Sequence, residues 1–90
     1  MTAWTRGLQM PIRHFIWTSH AKDRCTQKLI DRSMVERAIQ DHHANRKINR
    51  GRADWRLDGL LVDGRRFEVV YDHPSRAGNA SARIVSVWDR

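Results

Sequence analysis

The stretch "TSHAKDRC", Thr18 to Cys25, places His20 and Arg24 one turn apart where a helix begins. Those two residue types suit phosphate chemistry. Metal-independent cleavage of RNA needs a base for the 2′-OH, an acid for the leaving 5′ oxygen, and cations around the charged phosphorane. Histidine can serve both proton transfers near neutral pH. Arginine offers a planar fork that binds two phosphate oxygens. The free N–H groups of a helix start also favour an anion. His73, in the loop after Tyr71, is the candidate second proton carrier. The plainer reading of the same residues is a capped helix with a solvated arginine, and a histidine in a solvent-facing turn.

Charge supports a polyanionic partner. The chain of 90 residues carries 17 Lys and Arg against 10 Asp and Glu, a formal charge of +7. A domain so basic should bind nucleic acid, or an acidic protein, in a salt-dependent way. The segment "ANRKINRGRAD" concentrates Arg46, Lys47, Arg50 and Arg52 without apolar periodicity. It reads as a polar loop able to grip a phosphate backbone, and Lys28 on the basic edge of the first helix could extend that grip.

The other function classes lack support. Cys25 is the single cysteine, which excludes an internal disulfide and a cysteine-rich zinc site. Its apolar surroundings suggest a buried, inert thiol. His42 and His43 are adjacent and make no ligand set alone, so neither metal nor cofactor is expected. No glycine-rich phosphate loop, GxSxG or HExxH motif is present. No apolar run reaches membrane-spanning length, and the start of the chain does not read as a secretory signal. The expectation is a cytoplasmic protein without a membrane partner.

The elements that must position these residues follow from hydrophobic pattern. Residues 1–10 read as a flexible extension, in which Trp4 could pack down, and residues 11–90 as one domain. "IRHFIWT", Ile12 to Thr18, suits a strand, apolar on both faces and therefore expected in the sheet interior. Ser19 offers an N-cap, and Ala21, Cys25 and Leu29 form an apolar stripe. A second helix should start from Asp31 or Ser33, with Ser33 and Glu36 fitting a capping box. It should bury Val35, Ala38 and Ile39 and end near His42 or His43. "WRLDGLLVDGRRFEVVY" reads as a hairpin with Asp63-Gly64 as a two-residue turn and Gly59 as a candidate bulge. "ARIVSVW" is a last strand, where alternation groups Ile84, Ser86 and Trp88. Ser86 could donate to phosphate from the open face, but its neighbours suggest the core; Tyr71 and Trp88 read as core residues. The order strand, helix, helix, strand, strand, strand predicts an α+β domain with two helices on one face of an antiparallel sheet. The other face is left to receive a ligand.

"SHAKDR", "LID..MVERAI", "WRLDG....GRRFEVVYD" and "ARIVSVW" together resemble a bacterial domain family of unknown function related to the RelE and ParE toxins. The resemblance runs from about Ile12 to Trp88. It implies the RelE-like fold shared with barnase- and colicin-type ribonucleases, and a setting among toxin–antitoxin pairs or mobile elements. Its members include ribosome-dependent mRNA cleavers, gyrase poisons and proteins without known activity. RNA, ribosome-bound or free, and an acidic antitoxin are the partners it implies. Arg56 stands in the "WRLDG"-like position and becomes the second phosphate candidate. The alternative is a non-catalytic module that inhibits a nucleic-acid machine. Leu29 replaces a glycine that ends the first helix in this family, so the helix is expected to run longer here.

Overall fold

The computed structural model describes residues 12–90. The expected extension at residues 1–10, with Trp4, lies outside the described residues. Strand β1 (His14–Trp17) is followed by helices α1 (Ser19–Lys28) and α2 (Arg32–His42) and a 3₁₀ turn (His43–Asn45). Four strands complete the domain: β2 (Lys47–Ile48), β3 (Trp55–Leu60), β4 (Arg66–Asp72) and β5 (Ser81–Asp89). The sheet runs β1-β5-β4-β3-β2. Helix α1 buries Ala21 and Cys25, and α2 buries Val35, Ala38 and Ile39. These meet Phe67, Val69, Tyr71, Ile84 and Val87 of the sheet in one core. Leu29, expected as the third member of the α1 stripe, falls past the helix end and is 78% exposed.

The α+β layering agrees with the expectation, and three details of the sheet do not. Strand β1 runs parallel to β5, so the sheet is mixed rather than antiparallel. Among the described residues β1 is an edge strand, not an interior one. Its two apolar faces have another cause: Phe15 and Trp17 pack on the core while Ile16 faces the opposite side, 42% exposed. Part of the expected polar loop is β2, which pairs Lys47 with Arg56 and Ile48 with Trp55.

Caps and turns also moved. Thr18, not Ser19, caps α1: its Oγ1 accepts from the Ala21 N–H at 3.1 Å. Asp31 caps α2 through the Ser33 N–H at 2.9 Å. The Ser33–Glu36 box is displaced, because Glu36 instead accepts from Trp17 Nε1 at 2.8 Å. Helix α1 does not run longer. Leu29 itself takes the left-handed conformation, φ 55°, which costs a non-glycine residue about 1–2 kcal/mol. Two contacts offset that cost. Ile30 swings into the core, and Arg65 donates to the carbonyls of Lys28 and Leu29 at 2.9 and 2.7 Å.

The β3–β4 hairpin closes over three residues, not two. Leu61 N–H bonds Arg65 O at 2.8 Å and Gly64 N–H bonds Leu61 O at 3.0 Å. Gly64 supplies the positive φ, 89°, that this longer loop needs. Gly59 is no bulge; it pairs in register with Phe67, and a Cβ there would overlap the Phe67 ring. The bulge lies between β4 and β5. Val70 pairs with Ser86 and Tyr71 with Ile84, leaving Val85 as an extra residue. That single insertion turns Ile84 and Val87 into the core, and Ser86 and Trp88 to the face without helices.

Candidate nucleic-acid interface

The bulge and the start of α1 are fastened by one residue. Thr18 donates its backbone N–H to Ile84 O at 3.1 Å. Its hydroxyl donates to Val85 O at 3.0 Å while accepting from Ala21 N–H. The end of β1, the first turn of α1 and the bulge of β5 therefore meet at one side chain. Two residues on, His20 is carried to the rim of the helix-free face, where it is exposed.

A groove of about 640 Å³ opens there. Thr18 and His20 form one side, and Val70, Val85, Ser86 and Trp88 line it from the sheet. Asn49, Gly51 and Arg52 line it from the loop before β3, and Arg83 of β5 completes the set. That loop is held by its own hydrogen bonds, Asn49 N–H to Asp54 O at 3.0 Å and Asn49 Nδ2 to Ala53 O at 2.9 Å. Asp72 fixes both basic walls. One oxygen accepts from the Asp54 N–H at 2.8 Å and the other pairs with Arg83 at 3.6 Å. The groove thus gathers an imidazole, two guanidinium groups, two hydroxyls and an indole, with no carboxylate among its lining residues.

The other candidates are dispersed. Arg24, one turn beyond His20, is half-buried, its Nε shielded and without a partner, and it does not line the groove. Arg56 lies opposite Val70 on the same helix-free face, but lines a separate hollow with Lys47, Asp58, Glu68 and Arg90. Arg90 bonds Glu68 at 2.8 Å and Asp58 at 3.3 Å, so that hollow is of mixed charge. Lys28 lies 3.9 Å from Asp89. Arg46 stacks on Trp55, 4.0 Å from the ring centroid, and donates to His43 O. Arg50 is exposed in the loop, and Arg52 alone of that basic run reaches the groove.

His73 is not brought to His20. It shares the helix side of the sheet with Tyr71, and its Nδ1 lies 2.9 Å from Ser81 O. Its ring meets that of His43 edge-on at 4.8 Å. His43 Nδ1 and the Tyr71 hydroxyl are hydrogen-bonded at 2.7 Å. Burial, then the charges of Arg46 and His73, push His43 down to about 4, and burial pushes Tyr71 up to about 12. Cys25 is buried, its thiol pushed up to about 11 chiefly by burial, which makes it a poor nucleophile.

Arg83 and the outward placement of Ser86 and Trp88 were missed from sequence. Arg83 had a signal: it alternates with the buried Ala82 and Ile84, so period two alone turns it outward. Ser86 and Trp88 had none, since nothing in "ARIVSVW" marks a bulge. Among the described residues no three of His, Cys, Asp and Glu converge as metal ligands would, and no helix is long and apolar enough to cross a membrane. Compared with protein-family models, with curated proteins and with solved structures, the chain matches none.

Proposed function

We propose that this chain is a RelE-like, toxin-type domain that binds RNA and cleaves it without a metal, in a toxin–antitoxin or mobile-element setting. One observation carries the reading: His20 stands over the helix-free sheet face in a groove that also presents Arg52, Arg83, Ser86 and Trp88. Helices on one face and a basic groove on the other are what such a fold would need. The charge of +7 suits an RNA substrate and masking by an acidic antitoxin.

In this reading Arg52 and Arg83 hold the non-bridging oxygens of the scissile phosphate and offset charge that grows on them. His20 takes the 2′-OH proton as that oxygen attacks phosphorus. The bond to the 5′ oxygen breaks, and a proton returns to the leaving oxygen from the imidazolium, directly or through water. The products are a 2′,3′-cyclic phosphate and a 5′-OH. Ser86 can donate to a phosphate oxygen, and Trp88 offers a ring on which a base can stack.

The test is cleavage of single-stranded RNA in EDTA, with and without ribosomes. Wild-type protein should give cyclic-phosphate ends, and Arg83→Ala should be slower by about 10²–10³-fold. Arg56→Ala should stay near wild type. Equal rates in Arg83→Ala and wild type would sink the site assignment.

A second reading is a non-catalytic module that blocks a nucleic-acid machine. It is favoured by the groove's chemistry, since His20 is the one proton carrier of its lining set. Capture of one protein complex, with no RNA cleaved even on ribosomes, would select it.

A further inference from the structure

The groove does not stop at Arg83. A neighbouring cavity of about 670 Å³ is lined by Ile16, Asp54, Asp72, Pro74, Ser75 and Arg76, and it shares Arg52 and Arg83 with the groove. We infer that the two form one trough, and that its Arg76 end is a second phosphate subsite for a single-stranded polynucleotide extending several nucleotides from His20. This rests on the nucleic-acid half of the proposed function and not on its catalytic half.

The floor of the second cavity follows from register. Ile16 lies opposite Arg83 on β5, and Arg83 opposite Asp72 on β4, so the three form one cross-strand row on the helix-free face. From that row to Trp88 the trough follows β5 for roughly 16 Å, at about 3.3 Å per residue. Ligand pockets for small molecules typically span about 300–1,000 Å³, a range that the two connected cavities together exceed. A chain-like ligand suits that shape better.

The charges suit its backbone. Arg52, Arg76 and Arg83 face two carboxylates, Asp54 and Asp72. Asp72 is already engaged by Arg83 and the Asp54 N–H. Arg52 and Arg76 are exposed. Arg76 is also presented on a closed turn. Gly78 N–H bonds Ser75 O at 3.0 Å, Ser75 N–H bonds Ser81 O at 3.0 Å, and Ser75 Oγ accepts from Ala77 N–H at 3.1 Å. The guanidinium therefore starts from a fixed base, which lowers the ordering cost of a phosphate contact. A single strand is favoured over a duplex because Trp88 lines the opposite end, where an unpaired base can stack on it.

The test uses 2′-O-methyl oligonucleotides, which cannot be cleaved through a 2′-OH. Fluorescence anisotropy at fixed salt should show affinity rising from a dinucleotide to an octanucleotide. Arg76→Ala should weaken octanucleotide binding about tenfold and lower its salt slope by about one, leaving the dinucleotide unchanged. Arg76→Lys should keep the salt slope. The subsite is overturned if Arg76→Ala binds the octanucleotide as wild type does, or if an octamer duplex binds as tightly as the single strand. A protein that cleaves no RNA yet shows the length dependence and the Arg76 effect would lose the catalytic reading and keep this one.

Discussion

The two faces of the sheet use histidine in opposite ways. On the helix side His43 is half-buried, hydrogen-bonded to Tyr71 and edge-on to His73. On the helix-free side His20 is exposed at the rim of a basic groove. The first arrangement fixes an imidazole in its neutral form and spends its hydrogen-bonding capacity on stability. The second leaves an imidazole where a phosphate can reach it. A histidine's availability for chemistry is thus decided by what surrounds it.

The sharpest way to break this contrast is His20→Ala. RNA cleavage should fall by about 10²–10⁴-fold, the usual worth of a general acid–base group. Stability should stay within about 0.5 kcal/mol, because an exposed side chain is removed. Single-turnover cleavage beside urea denaturation reads both. Full activity in His20→Ala would erase the distinction between the faces.

The mirror experiment is Tyr71→Phe. It removes the hydroxyl bonded to His43 at 2.7 Å and leaves that half-buried nitrogen without its partner. The expected loss is about 1–3 kcal/mol of stability, with the cleavage rate of the folded protein unchanged. A variant as stable as wild type would mean that the cluster contributes little.

Acid should find the same cluster. His43 is pushed from an ordinary value of 6.5 down to about 4, first by burial and then by Arg46 and His73. Between those values the unfolded chain binds the proton more tightly than the folded one. Stability should therefore fall as pH drops from about 6.5 towards 4, and the slope from this group should end below that. His43→Gln should flatten that part of the profile in denaturant titrations across pH. An unchanged slope would assign the acid sensitivity elsewhere.

The contrast also explains what was legible in the sequence. The stripes of Ala21 with Cys25, and of Val35, Ala38 and Ile39, are local and repeat at helical spacing, so both helices could be read directly. The alternation of Phe67, Val69 and Tyr71 likewise marked the face of β4 that joins the core. Three features depend on residues far apart in the chain. Strand β1 finds β5 in parallel across more than sixty positions, and His43 meets Tyr71 across 28. The bulge at Val85 is written in no local signal, yet it moves Ser86 and Trp88 from an expected core to the groove. For the candidate site, His20 on a helix edge was legible; its companions Arg52, Arg83 and Trp88 became a set only through sheet register. The loop that holds Arg52 is closed by Asn49 and clamped by Asp72, contacts that a charge run cannot announce.

Thr18 belongs to both halves of the comparison, and its removal should have the smallest effect on each. Thr18→Val keeps the shape and the β-branch but loses the hydroxyl. It removes the cap on Ala21 N–H and the bond to Val85 O. Loss of a cap costs about 1 kcal/mol, a modest change in a urea midpoint. The second bond ties the α1 start to the bulge, so its loss should let His20 drift relative to Arg83 and slow cleavage several-fold. That drop should appear in the rate of the bound complex rather than in RNA affinity, because no phosphate-binding side chain is removed. Thr18→Ser, which restores the hydroxyl, should recover most of the rate. A rate that follows the hydroxyl would show that the bulge positions His20; a rate indifferent to it would leave Thr18 as a helix cap alone.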